Sequence, residues 1–149
     1  MTIFNLRRMY FALVSLLALS AYSTVYAAEM PSDDEQDVLI RTTLLTFNDA
    51  NMTGNFSVFY AKAAKQFQEK YSAEKMAAGF ESFRTKELFF EEVATADYDS
   101  EEEAKFDQGA LVLAGVFKTG DMQIKYRLRY VQNAKVWKLI GLDVDATKR

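Results

Sequence analysis

The sequence predicts an α+β fold: three N-terminal helices packed on a strongly bent antiparallel sheet of about four strands. Three observations carry this. Apolar residues recur at three- and four-residue steps as far as Lys86, which is the helical period. After Lys86 the period changes to two, with Ile124-Lys-Tyr-Arg-Leu-Arg-Tyr-Val131 as the clearest alternation. Between the last alternating runs, Thr119-Gly-Asp121 and Asn133-Ala-Lys135 are short enough for hairpins. Helices first and strands afterwards is the order of an α+β domain.

Before the first helix, Arg7 and Arg8 precede the apolar run Met9–Leu19, and small residues follow up to "STVYAAEM". This is the pattern of a signal peptide cut between Ala27 and Ala28. The alternative is a retained anchor, because Tyr10–Ala28 approaches bilayer-spanning length. Ser15, Ser20, Ser23 and Thr24 weaken that alternative. The expected organisation is therefore a signal over 1–27, a short linker over 28–33 and one domain over 34–146. A periplasmic or secreted location follows.

Cutting there removes Arg7 and Arg8 but no acid, so the charge moves from −3 to −5. An acidic domain is poorly suited to binding nucleic acid, which needs a positive surface. No cysteine occurs, so neither disulfides nor lipid attachment at a cysteine contribute.

Ser32 and Glu35 have the spacing of a capping box, and Asp33, Asp34 and Asp37 suit a helix N-terminus. The first helix then presents Val38, Leu39, Leu44, Leu45 and Phe47, ending near Asn51 before Gly54. In the second, Phe56, Phe59, Tyr60, Ala63, Ala64, Phe67 and Tyr71 form one stripe. Ser72 caps the third, where Met76, Phe80 and Phe83 face inward. The strands are expected at Leu88–Tyr98, Phe106–Lys118, Gln123–Gln132 and Val136–Asp145. Gly109 and Gly115 inside the second suggest a bulge or bend.

Three helices followed by four long strands, closing on "VWKLIGLDV", resemble the nuclear transport factor 2-like family over roughly residues 34–146. The resemblance implies a cone-shaped α+β fold, frequently with a pocket between helices and sheet and a dimer through the sheet. On that arrangement Phe59, Tyr60, Phe80, Tyr126, Leu128, Tyr130 and Trp137 are the candidate pocket lining. Lys125, Arg127 and Arg129 then point from the other face. They form a solvated face balanced by acids such as Glu91, Asp97 and Asp99, a dimer or partner surface, or an anion site.

Chemistry is narrowly bounded. The chain has no histidine, which removes the commonest base and metal ligand and any Ser-His-acid triad. With no cysteine either, a zinc site is not expected, and no metal or cofactor is implied. The enzyme alternative is a buried carboxylate beside a tyrosine, as in the ketosteroid isomerase members of the family. Its candidates are Asp107 or Asp143 with Tyr60, Tyr98, Tyr126 or Tyr130. "DYDSEEE", residues 97–103, has five acids in seven but lacks the spacing of a calcium loop, so it reads as an acidic turn. The leading expectation is a non-catalytic domain that binds a small apolar ligand or a protein partner as a homodimer. A membrane-anchored envelope or secretion-assembly module is the third.

Overall fold

The computed structural model describes residues 28–149. The expected signal or anchor over 1–27 lies outside the described residues. Among those described, no helix is long and apolar enough to cross a membrane.

Helix α1 spans Asp33–Thr53. Ser32 Oγ accepts from the Glu35 amide, and the Glu35 carboxylate accepts from the Ser32 amide, so both halves of the capping box form. Gly54 ends the helix in the left-handed region at φ 68°, where glycine has no Cβ to strain. Leu44 and Phe47 are fully buried. The Phe47 ring meets Phe56, Phe59, Phe80, Phe83 and Phe90 at 4.8–6.3 Å between centroids. Most of these contacts are edge-to-face, which suits the ring quadrupoles.

The expected second helix is two: α2, Ser57–Lys62, and α3, Lys65–Lys70. Ala63 and Ala64 between them are extended. The reason is tertiary, since the Ala64 amide donates to the Leu139 carbonyl at 2.9 Å. The third also divides, into α4, Ala73–Gly79, and α5, Glu81–Thr85, at Phe80. Ser72 caps α4 as its spacing predicts, accepting from the Lys75 amide.

The first expected strand, Leu88–Tyr98, is not a strand over most of its length. It holds a short 3-10 helix at Glu91–Ala94. Its backbone groups find partners on α1 instead of on a neighbouring strand. Asn48 Oδ1 accepts from the Phe90 amide at 2.9 Å, and Arg41 donates to the carbonyls of Val93 and Ala96. With these groups satisfied, no ladder is required.

The sheet is antiparallel: β1 (Tyr98–Ser100), β2 (Lys105–Asp107), β3 (Ala110–Lys118), β4 (Met122–Asn133) and β5 (Val136–Lys148). The order is β1-β3-β4-β5, and β2 shares the β3 edge with β1. Gly109 does not bulge a long strand. With Gln108 it forms the positive-φ turn (φ 50° and 78°) that separates β2 from β3. The bulge lies on β5 instead, where the register to β4 shifts at Arg129/Tyr130. Gly115 stays in regular register opposite Tyr126. A Cβ there would sit 2.5 Å from Tyr126 Oη and 2.7 Å from the Asp99 carbonyl oxygen, so glycine makes room for the crossing tyrosine.

Candidate functional site

β4 alternates as its sequence does. Ile124, Tyr126, Leu128 and Tyr130 are buried, while Lys125 and Arg127 are exposed and Arg129 half-buried. The cations therefore lie on the sheet face away from the core. Each meets an acid: Lys125 with Glu101 at 3.4 Å, Arg127 with Glu102, and Arg129 with Asp107 at 3.0 Å. Lys118 pairs with Asp99 at 2.9 Å, and Lys105 reaches Glu102 from the same segment. The acidic turn at 97–103 thus supplies counter-charges to the sheet. Of the acids expected there, only Asp99 serves; Glu101, Glu102 and Asp107 do the rest. Between the pairs lie Val112, Ala114 and Val116 of β3, buried although they are on the outer face. The stems of Arg129, Arg127 and Lys125, their register partners, run beside them. The Lys105 ammonium and then the Arg127 guanidinium hold the Glu102 carboxyl below its ordinary range.

The seven pocket candidates do not share one site. Phe59, Tyr130 and Trp137 meet on an open groove of ≈ 260 Å³ between α1, α2 and the β4–β5 hairpin. Val38, Leu39, Val136 and Leu139 add apolar lining, and Thr42, Thr43 and Thr46 a polar strip. Trp137 also stacks on Phe106 at 6.2 Å and 30°. Phe80 lies instead on a second groove of ≈ 350 Å³, with Phe67, Tyr71, Met76 and Ile140. Leu128 is fully buried in the core. Tyr126 is buried against Tyr98 and Phe117. Tyr60 joins α2 to α3: its hydroxyl donates to the Gln68 carbonyl at 3.2 Å, and Gln68 Nε2 returns a bond to the Tyr60 carbonyl at 2.9 Å.

Five lining residues of α1 escaped the sequence reading. Their signal was present: Val38, Thr42 and Thr46 recur every four residues on one stripe, and Leu39 and Thr43 repeat the step beside it. The apolar pattern of α1 groups Val38 with the core side, yet it is 60% exposed.

The carboxylate–tyrosine chemistry finds no such arrangement among its candidates. Asp107 sits beside Arg129, and Asp143 is exposed on β5 opposite Arg127. The Tyr130 hydroxyl donates to the Leu39 carbonyl at 3.0 Å and lies 2.7 Å from Thr43 Oγ1. Burial raises its pKa above the ordinary tyrosine value, against the Thr43 bond, which lowers it. The Tyr126 hydroxyl is buried with no hydrogen-bond partner, and burial, then Tyr98, raises its pKa as well. One carboxylate does approach a tyrosine. Burial and then the Asp37 charge raise the Tyr98 pKa, but both Asp37 oxygens accept from Arg41 Nε at 2.8 and 2.9 Å. Among the described residues, no group of three or more acids is placed to hold a metal ion.

Compared with protein-family models, curated proteins and solved structures, the chain finds no match in any of the three.

Proposed function

We propose that this domain is a non-catalytic binder of a small apolar molecule, exported after loss of residues 1–27 and folded as a nuclear transport factor 2-like cone. The observation that carries the reading is the groove beside Trp137. Exposed Val38 and Val136, the half-buried Trp137 and the buried Phe59 and Leu139 beneath them form an apolar lining, with hydroxyls along one side. Concave, mostly apolar surfaces with a few placed polar groups are the usual form of small-molecule sites. At ≈ 260 Å³ the groove falls just below the common range of about 300–1,000 Å³ for such sites, which restricts it to a small ligand. The α+β order of elements and the antiparallel sheet support the cone. The ion pairs across the outer face favour a solvated surface there, because its charges are already partnered.

Trp137 is the single tryptophan of the chain, so its fluorescence reports occupancy directly. Titration with octan-1-ol is expected to shift the Trp137 emission saturably. Native mass spectrometry of protein exported from a bacterial host is expected to show mass above the bare chain that is lost on denaturation. Bare chains together with an unresponsive Trp137 would overturn the reading. The denatured mass also tests removal of residues 1–27, and the native mass tests the homodimer.

A further inference from the structure

Charge is unevenly distributed over the concave surfaces of this acidic chain. The outer-face depression contains Glu101, Asp143 and Asp145 with Lys125 and Arg127; the one beside α1 and α2 contains Asp49 and, at its border with the Trp137 groove, Lys62; the one at the start of α1 contains Asp33, Glu101, Glu102 and Glu103. The Trp137 groove and the second groove contain no acid: Lys62 and Lys138 line the first, Lys70 and Lys75 the second, and the first alone has the tryptophan. Neither Lys62 nor Lys138 forms an ion pair among the described residues, whereas Lys105, Lys118, Lys125, Arg127 and Arg129 on the outer face all do. Lys62 is also positioned. Its ammonium donates to Thr46 Oγ1 at 3.2 Å, and the Thr46 hydroxyl donates to the Thr42 carbonyl at 2.7 Å. Both threonines line the groove.

We propose that the ligand of this groove is an anionic amphiphile: a short apolar chain or single ring that carries one carboxylate-type head. The body lies against Trp137, Phe59 and Val38, and the head meets the Lys62 ammonium, held at the groove by Thr46, with Lys138 at the β5 edge adding positive charge. This assignment rests on the reading of the groove as an apolar binding site. An unpaired ammonium beside an apolar wall favours a ligand that supplies both contacts, because a charge-assisted hydrogen bond is stronger than a neutral one. It also disfavours a purely apolar ligand, whose arrival would strip water from lysine without a replacement partner.

The test compares octanoate with octan-1-ol, which share a body and differ in charge, by Trp137 fluorescence. Octanoate is expected to bind roughly three- to tenfold more tightly, with the preference shrinking as salt rises. In the Lys62→Gln/Lys138→Gln protein the preference is expected to vanish while octan-1-ol binding persists. Lys62 is exposed and Lys138 half-buried, and an unchanged circular dichroism spectrum confirms that the variant is folded. Equal binding of the two probes to the original chain would overturn the anionic head and leave the apolar groove standing. No response to either probe would overturn both. A preference that survives Lys62→Gln/Lys138→Gln but is lost in Lys70→Gln/Lys75→Gln would also overturn the assignment, because those lysines line the second groove.

Discussion

The Ala64 amide donates to the Leu139 carbonyl at 2.9 Å, and this bond joins the helical layer to the edge strand of the sheet. It forms where β5 bulges and where α2 gives way to α3. Residues of the Trp137 groove and of the second groove flank it: Ala63 and Leu139 line the first, Ile140 and Gly141 the second. Ala64→Pro keeps the backbone angles, since Ala64 at φ −67° and Ala63 at ψ 162° already suit proline and the residue before it, but it removes the donor and puts the ring Cδ where the amide hydrogen meets the Leu139 carbonyl. The carbonyl then loses its partner and is pushed away by the ring, at an expected cost of at least about 1–3 kcal/mol. Urea unfolding with a lowered midpoint and an unchanged slope checks this.

Two buried tyrosines of β4 are expected to respond oppositely to loss of the hydroxyl. Tyr130→Phe breaks the bonds to Leu39 and Thr43 and should cost about 1–2 kcal/mol. Tyr126→Phe removes a buried hydroxyl that has no partner, so stability should stay level or rise. Thermal unfolding of the two variants side by side decides the matter.

Gly115→Ala should destabilise by about 1–3 kcal/mol through overpacking. Tyr126 Oη and the backbone oxygen of Asp99 both stand within 2.7 Å of the new methyl. Tyr126→Phe in the same chain should recover part of the loss but not all, because the Asp99 carbonyl remains. The double-mutant cycle measures that coupling.

Asn48→Ala should expose the 88–97 segment to opening. The Phe90 amide then has no acceptor, and a buried unpaired donor costs about 1–3 kcal/mol. Hydrogen exchange of that amide should accelerate more than that of the β3–β4 ladder, where the bonds are untouched.

Charge pairing on the outer face predicts a pH response of known sign. The Glu102 carboxyl titrates below its ordinary range because Lys105 and then Arg127 bind its ionised form. A depressed carboxylate stabilises the fold above its unfolded pKa, and that contribution is lost as pH falls through the folded pKa. Lys105→Gln and Arg127→Gln should each move the Glu102 titration upward toward the ordinary carboxylate range. Carboxyl carbon shifts followed by NMR against pH read the change. Exposed pairs of this kind contribute little to stability because solvent screens them, so the fold itself should survive either substitution.

What the sequence by itself determined is local. The Ser32–Glu35 box, the Ser72 cap, the Gly54 stop and the alternation of Ile124–Val131 each depend on neighbours a few residues away, and each formed as its spacing predicts. The two faces of β4 were legible for the same reason, because a period of two leaves no choice of side. Only the tertiary structure decided the breaks and the site. An unbroken stripe from Phe56 to Tyr71 gives no sign that a β5 carbonyl will claim the Ala64 amide. The alternation after Lys86 likewise hides that Asn48 and Arg41, some 40 to 55 positions earlier, supply the partners that a strand would have supplied. The groove is assembled from α1, α2 and the β4–β5 hairpin, so no single stretch carries its pattern. Hydrogen bonds between distant segments compete with local propensity for the same backbone groups, and where they win the local period stops being a guide.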